Sequence, residues 1–334
     1  MPVIDIHAHI LPEGLLDNLT EAGLTAQPKL LAHSDEMIML EFVDGKRFGP
    51  VPIGIVDIDR RLADMDRQGV DVQMLGAVPM VFGHGEAPEV GAKVAAITND
   101  AMLEVAQMHP DRFEVFASLP MQDAQLAVAE IERMTEHTNV RGVQIGTHVA
   151  GGDLDDPDLD EIWGALEASD MPALLHPCPP IAAGNRLGKY HLGNFIGNPL
   201  DSTIAIASLI FGGVLQRHPN LRIGIVHGGG YWPYQTGRWD HGWGWRPEAQ
   251  EHIKEVPSTY YSQIYCDTLT HDADSLRFLG GRVGWDHLMI GTDYPFDMSE
   301  QDPVTKVRDL GLDERDETAV LRNNTKAFLR PIGR

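Results

Sequence analysis

Metal-capable side chains stand at the ends of four apolar runs that lie far apart in the chain. The first run ends with His7 and His9, two later runs end with His176 and His227, and the last ends with Asp293. In an extended strand, residues two apart point to the same side, so His7 and His9 can share one ion. Burying several imidazoles with a carboxylate is costly unless a cation organises them. The pattern therefore predicts a metal site.

The residue types also indicate which ion such a site would hold. Three histidines and one aspartate form a nitrogen-rich donor set that suits Zn2+ and tolerates Mn2+, Fe2+ or Co2+. The run that ends in Gly146-Thr147-His148 offers no lysine that could be carboxylated to bridge two metals, so a single ion is expected. His148 could add a polar group to the site or be an ordinary loop histidine. Cys178 could contact the metal or the substrate, but a small buried filler is the favoured interpretation.

Eight short apolar runs alternate with amphipathic segments along the chain. This alternation favours a closed parallel (β/α)8 barrel, the TIM barrel of the α/β class, whose reactive groups lie at the carboxyl ends of the strands. The predicted strands are Val3–His7, Val72–Val78, Phe113–Leu119, Gly142–Thr147, Ala173–His176, Arg222–His227, Ile264–Thr268 and His287–Asp293. The predicted helices include Ile58–Gln68, Val90–Met108, Ala124–Glu136, Leu159–Ala168 and Thr203–Arg217.

Residues 11–56 do not follow this alternation. Apolar residues alternate in Met37–Phe42, and Asp44-Gly45 is a pair of the kind that closes a β-hairpin. The pattern predicts a small β-rich insertion over the barrel mouth, within one domain that spans residues 1–334. The alternative is an ordered surface loop without a role.

Charge and composition exclude several classes of partner. The net charge is −23, from 49 acidic and 26 basic residues, and a field of that sign repels nucleic acid and anionic membranes. No apolar run approaches the roughly 20 residues needed to span a bilayer, and the first residues do not form a secretory signal. With only Cys178 and Cys266, no disulfide framework is expected, which favours the cytoplasm. An anionic substrate would need arginines or a metal ion to receive it.

Several segments resemble the amidohydrolase superfamily, whose signature contains the His7 and His9 pair, His176, His227 and Asp293. Longer stretches resemble the family of α-amino-β-carboxymuconate-ε-semialdehyde decarboxylases within the decarboxylase branch. These stretches are residues 61–66, 69–73, 142–148, 226–230, 237–238 and 291–296. The resemblance covers nearly the whole chain.

The resemblance implies roles for the residues at the strand ends. His7, His9, His176 and Asp293 would bind one zinc ion, and His227 would activate the metal-bound water. The implied activity is the non-oxidative decarboxylation of an unsaturated or aromatic carboxylic acid, without O2 or an organic cofactor. In the aromatic-acid enzymes of the branch the aspartate is a candidate proton donor, so Asp293 counts as catalytic too. A hydrolase or hydratase acting on a lactone, amide or enol, and a non-catalytic metal-binding protein, are the alternatives.

The resemblance further implies two arginines that bind substrate carboxylates. Arg47 lies in the insertion, where the alignment needs a gap of two residues, and Arg238 follows the HGGG motif. Arg238 would reach into the partner subunit's site, which implies a homodimer, and a guanidinium is the natural bidentate partner of a carboxylate. The alternatives are a surface role for Arg47 and a helix-surface salt bridge between Arg238 and Asp240.

Other residues near the strand ends are predicted to be structural. Asp267 is expected to orient a histidine as a hydrogen-bond acceptor, and Gly228–Gly230 to permit the turn that exposes His227. The cluster Trp232, Trp239, Trp243 and Trp245 is expected in packing or in a subunit interface.

Two segments depart from the decarboxylase pattern. The family carries Trp-Asp after the strand-5 histidine, where this chain has Cys178 and Pro179, and a Leu-Pro-Trp stretch where this chain has 191–194, His-Leu-Gly-Asn. Large rings are replaced by smaller polar groups, which changes the shape and hydrogen bonding of the predicted pocket wall. The metal chemistry is therefore expected to be retained and the substrate to differ.

Overall fold

A computed structural model describes residues 2–24, 29–42, 45, 47–182 and 184–332. Within these ranges the strands are β1 (Ile4–Ile10), β2 (Lys29–Ala32), β3 (Met37–Glu41), β4 (Arg47–Pro52), β5 (Val72–Ala77), β6 (Phe113–Ala117), β7 (Val140–Gly146), β8 (Ala173–His176), β9 (Ile223–Ile225), β10 (Ile264–Asp267) and β11 (Leu288–Met289). The α-helices are α1 (Leu15–Ala22), α2 (Ile58–Gln68), α3 (Pro88–Met108), α4 (Ala124–Thr135), α5 (Asp160–Ala168), α6 (Asn198–Phe211), α7 (Val214–Arg217), α8 (Trp232–Trp243), α9 (Ala273–Val283), α10 (Pro303–Arg308), α11 (Glu314–Thr318) and α12 (Asn324–Phe328).

Eight parallel strands follow one another around a barrel in the order β1, β5, β6, β7, β8, β9, β10 and β11. The ring closes between its last and first strands, where the amide of Ile6 donates to the carbonyl of Ile290 at 2.9 Å and the amide of His9 donates to that of Tyr294 at 2.7 Å. Each predicted barrel strand overlaps an observed one. The predicted TIM barrel is therefore confirmed.

The helices on the outside of the barrel also follow the predicted order. The predicted helix 58–68 has its exact observed bounds, because the Asp57 side chain caps it by accepting a hydrogen bond from the Arg60 amide at 2.9 Å. The predicted helix Thr203–Arg217 is wrong in extent. The chain instead forms α6 and α7, which are separated at Gly213, whose φ of 76° lies in the left-handed region that ends α-helices.

The segment 11–56 forms the predicted β-rich insertion. Strands β2, β3 and β4 pair in an antiparallel sheet, and alternate residues of β3, Ile38 and Leu40, are buried against the rest of the protein. The short helix α1, which the sequence did not indicate, precedes this sheet. Asp44 of the predicted hairpin pair lies outside the described residues. The sheet covers the barrel mouth, since Phe48 of β4 lines a cavity together with His176.

The opposite end of the barrel is filled by apolar side chains. Phe116 of β6 and Phe328 of α12 are buried there, with Ile6 and Leu174 from the barrel wall. The carbonyl of Phe328 accepts a hydrogen bond from Arg222, just before β9, at 2.8 Å. In the part of the chain that the structure describes, the cavities that reach the barrel strands' metal-capable residues lie at the opposite end from this packing. No helix in the described ranges is both long enough and apolar enough to cross a membrane.

Removing the Phe328 side chain should leave a cavity at the closed end. We expect Phe328→Ala to lower the free energy of unfolding by about 3–5 kcal/mol, as truncations of buried phenylalanine do. Chemical denaturation measures the loss. Phe278→Ala is the matched control, because that ring is 49% exposed and should cost less than about 1 kcal/mol. Equal losses in the two variants would contradict the packing described here.

Candidate active site

The predicted chemical residues converge at the open end of the barrel. His7 and His9 project from β1, His176 is the last residue of β8, His227 follows β9, and Asp293 follows β11. The carboxyl ends of barrel strands meet at one rim, so residues far apart in sequence become neighbours. The side chain of His227 is 14% exposed and that of Asp293 7%, while those of His7 and His9 are at most 1% exposed and His176 is buried.

The ligand atoms of these residues face one another. Nε2 of His7 lies 3.3 Å from Nε2 of His9, and both lie close to Oδ1 of Asp293, at 3.3 and 3.1 Å. One ligand atom from each of His7, His176, His227 and Asp293 falls within 4.8 Å of the others. The structure thus brings the five residues together: the four with mutually close ligand atoms include His227, and His9 joins them through its contacts with His7 and Asp293.

The hydrogen bonds of the rings leave their Nε2 atoms available to an ion. Nδ1 of His7 contacts Asp267 Oδ2 at 2.8 Å, Nδ1 of His9 contacts a backbone carbonyl at 3.2 Å, and Nδ1 of His176 contacts another at 2.7 Å. In the described residues, Nε2 of His176 is buried without a hydrogen-bond partner. Such an atom is costly unless a cation satisfies it. The donor set therefore fits a bound divalent ion.

Charges within the cluster keep most ligands in a metal-binding state. Burial lowers the pKa of His9, and burial together with the neighbouring imidazoles lowers that of His176 well below its ordinary value. Burial opposes ionisation of Asp293, but His7 and other histidines outweigh it and hold the Asp293 pKa well below its usual range. Burial also disfavours charge on His7, yet Asp293 and Asp267 raise its pKa to about 10. Metal binding and protonation would therefore compete at His7.

Asp267, the last residue of β10, orients the site as predicted. Besides contacting Nδ1 of His7, its carboxylate accepts hydrogen bonds from the amides of His227 at 3.0 Å and Gly228 at 2.7 Å. The glycines of this turn, Gly228–Gly230, all have positive φ, in agreement with the prediction. One buried carboxylate thus fixes both a ligand and the turn that presents His227.

A buried aspartate behind the ligands was not found from the sequence. Asp5 of β1 accepts hydrogen bonds from the amide of His7 at 3.1 Å, from the amide and hydroxyl of Thr292 at 3.0 and 2.6 Å, and from Gln73 at 2.9 Å. Burial raises its pKa, and these donors oppose that rise. Asp5 therefore links β1 to the segment after β11 that carries Asp293.

A buried arginine also supports the ligands and was likewise missed. Arg61 of α2 donates to the carbonyl of His9 and, at 2.6 Å, to Oε1 of Gln73. Burial lowers the pKa of Arg61 to about 10. A signal was present in the sequence, because Arg61 shares the buried face of α2 with Met65 and Gln68, four and seven residues later.

Two cavities meet at the cluster. One, of about 590 Å³, lies under the insertion, and the other, of about 680 Å³, lies between α8 and α9. His227, Asp293, Asn194 and Asn198 line both. Neither cavity has a lysine or arginine among its described lining residues, so the walls provide no fixed cation for an anionic substrate.

The two predicted arginines lie away from these cavities. Arg47 begins β4 with 61% of its side chain exposed and pairs with Glu41 at 2.9 Å. Arg238 is exposed on α8 and, among the described residues, forms no ion pair. Asp240 instead accepts a hydrogen bond from the amide of Ser258 at 3.0 Å, so the alternative salt bridge is not formed. The substrate roles of both arginines stay predictions.

His148 and Cys178 have structural surroundings. Nε2 of His148 contacts the carbonyls of Cys178 at 3.1 Å and Pro180 at 3.0 Å, while its Nδ1 accepts from the amide of Gly151 at 3.1 Å. Cys178 is 3% exposed and packs in an apolar cluster, and burial raises its pKa to about 11. The neutral filler is therefore the interpretation that the structure supports.

The sequence and the fold of this chain are similar to those of several known proteins. The sequence profile described as Amidohydrolase matches residues 4–330. The 2-amino-3-carboxymuconate-6-semialdehyde decarboxylase of Dictyostelium discoideum is 33% identical over 328 residues, covering 98% of this chain and 91% of its own length. The γ-resorcylate decarboxylase of Rhizobium sp. (strain MTP-10005) is 27% identical over 77% of this chain and 82% of its own. The solved dihydroxybenzoic acid decarboxylase of Polaromonas sp. JS666, with bound manganese and 2-nitroresorcinol, has a TM-score of 0.79 at 22% identity, covering 98% and 96% of the two chains.

Neutralising the Asp267 carboxylate should weaken metal binding. Asp267→Asn keeps the shape but removes the anionic acceptor of His7, and we expect the affinity for Zn2+ or Mn2+ to fall about 10–100-fold, as it does when a group that orients a ligand is lost. Competition with a chelator measures the affinity. Asp240→Asn, remote from the cluster, should leave it unchanged. If both variants bound metal as tightly as the parent protein, the assigned role of Asp267 would be wrong.

Proposed function

Because this chain belongs to the amidohydrolase family, we propose that it catalyses the metal-dependent, non-oxidative decarboxylation of an unsaturated or aromatic carboxylic acid. The observation that carries the proposal is the convergence of four imidazoles and one carboxylate at the open end of the barrel. The decarboxylases that resemble the chain over most of its length support the same reaction class.

In this proposal His7, His9, His176 and Asp293 hold a single ion, with Zn2+ as the first candidate and Mn2+, Fe2+ or Co2+ as the others. The short contacts among the Nε2 atoms of His7 and His9 and Oδ1 of Asp293, and the unpartnered Nε2 of His176, support the assignment. A bound divalent ion supplies Lewis acidity and lowers the pKa of a coordinated water from about 15.7 towards about 7. The two buried thiols agree with a reducing, cytoplasmic location.

His227 is assigned the proton transfer. When the C–CO2 bond breaks, its electron pair remains on carbon, and a proton must replace the lost carboxylate there. His227 lines both cavities, and its Nε2 lies 3.6 Å from Oδ2 of Asp293. Asp293 is a second candidate donor, but a carboxylate that binds the ion holds no proton. His227 is therefore the better carrier, and an imidazole exchanges protons readily at neutral pH.

A cation for the substrate carboxylate is proposed to come from a second copy of the chain. The described cavity walls carry no lysine or arginine. Arg238 is exposed on α8 one helical turn beyond Tyr234, whose ring is 76% exposed and lines the cavity between α8 and α9. A homodimer that covers this aromatic face would deliver Arg238 to the partner's site, while Arg47 would approach from the insertion.

Turnover of a substrate panel tests the reaction. The metal-loaded protein should release CO2 from a carboxymuconate semialdehyde or a hydroxybenzoate, followed by ultraviolet absorbance and CO2 detection. We expect His227→Ala to lower kcat about 100- to 10,000-fold with its metal retained, because general acid–base transfer is lost. Asp293→Ala should lose both metal and activity. His137→Ala, between α4 and β7 at the closed end of the barrel, is the control and should behave as the parent.

The same experiment separates decarboxylation from the alternative. A hydrolase or hydratase would incorporate oxygen from solvent, so a product labelled in H2 18O without release of CO2 would contradict the proposed reaction. Metal-loaded protein that converted no member of the panel would contradict it as well.

Mixing two inactive variants tests the shared site. Arg238→Ala and His227→Ala chains are each expected to be inactive as homodimers, but a mixed dimer contains one site with both residues intact. Random pairing should restore about a quarter of the parent activity per chain. Arg238→Ala taken alone through the same dissociation and reassociation is the control and should stay inactive. No recovery after dissociation and reassociation would exclude Arg238 as a residue supplied across the interface.

A further inference from the structure

Two asparagine side chains face the cluster without partners. Asn194 and Asn198 both line the two cavities, together with His227 and Asp293. Among the described residues neither side-chain amide forms a hydrogen bond, and both are only half-buried. An amide offers two N–H donors and a carbonyl acceptor, so the pair presents unused hydrogen-bonding capacity beside the reacting groups.

The backbone places the two amides next to each other. Asn194 lies in a π-helical turn, Gly193–Gly197, that runs directly into α6, whose first residue is Asn198. Residues four apart on a continuous helical segment lie on the same side of it. The carboxylate of Asp201, one turn further on, accepts a hydrogen bond from the amide of Ala182 at 2.9 Å and holds this segment over the barrel.

The same segment is packed against the turn that carries His227. The hydroxyl of Thr203 donates to the carbonyl of Pro199 at 2.7 Å and accepts from the amide of Tyr231 at 2.8 Å. Gly230 makes this approach possible, because a Cβ there would lie 2.2 Å from the Pro199 carbonyl oxygen. The asparagines are therefore held at a fixed position relative to His227.

Aromatic rings line the cavity under the insertion as well. The ring of Phe296 lies 5.2 Å from that of His9 and 5.9 Å from that of Phe48, between centroids. A flat substrate that packs on these rings, with its carboxylate at the cluster, would present its neighbouring substituent to the asparagines. Asp297 also lines this cavity and no fixed cation does, which favours a neutral substituent over a second carboxylate.

We propose that Asn194 and Asn198 are specificity-determining residues that hydrogen-bond a hydroxyl or amino group on the carbon next to the one that carries the departing carboxylate. The placement of that carboxylate rests on the proposed function. A site built to hydrogen-bond a substituent discriminates against the analogue that lacks it, since its polar groups are then left unpaired in a partly dry cavity.

Binding of two unreactive analogues tests the proposal. The nitro group of 2-nitrophenol and 4-nitrophenol replaces the carboxylate, and only the first has a hydroxyl on the neighbouring carbon. We expect metal-loaded parent protein to bind 2-nitrophenol about tenfold or more tightly than 4-nitrophenol by calorimetry. In Asn194→Leu/Asn198→Leu, whose side chains are of similar size, the ratio should fall to about one. Asn220→Leu, an exposed change at the closed end of the barrel, should keep the parent ratio.

Two results would overturn the proposal. One is that the parent protein binds the two compounds equally well, or binds neither of them. This result does not depend on the folding of any variant. The other is a parent-like ratio in the double variant with full metal content. Because the analogues are not turned over, asparagine-dependent discrimination without CO2 release from any substrate would support the asparagine pair and count against the proposed reaction alone.

Discussion

The carboxylate of Asp267 is the constraint on which the site depends. It contacts the ring of His7 and accepts hydrogen bonds from the amides of His227 and Gly228, so one buried charge fixes both this ring and the turn that carries His227. Asp5 fixes the backbone on the other side of His7. Because Asp267 fixes both His7 and the turn that carries His227, the distance between these two imidazoles is set by the barrel framework.

The parts of the site that follow strand periodicity could be predicted. Apolar runs that end in His7, His176, His227 and Asp293 mark the carboxyl ends of barrel strands, and the barrel geometry then requires that these ends meet. The strands themselves were recognisable because buried parallel strands are continuous apolar runs. The break between α6 and α7 was not recognised, because the apolar pattern continues through Gly212 and Gly213 while the backbone turns there.

The features that the sequence did not reveal depend on pairing between distant residues. The contacts of Asp5 with Thr292 and of Arg61 with His9 join segments that no local pattern relates. The segment around Asn194 was recognised only as a departure from a family pattern. Its relation to the cluster became apparent from the fold, since its approach to the His227 turn depends on Gly230.

The insertion is attached to the barrel at both of its ends. The amide of Leu11, where the insertion begins, donates to the carbonyl of Ile55, where it ends, at 2.8 Å. Buried Arg61 of α2 donates to the carbonyl of Gly54 at 3.2 Å and also donates to the carbonyl of His9. Moving the insertion away from the barrel would break the hydrogen bond from Arg61 to Gly54, and Arg61 also supports His9. A route through the cavity between α8 and α9 leaves these bonds intact, so small molecules can reach the cluster there without displacing the insertion.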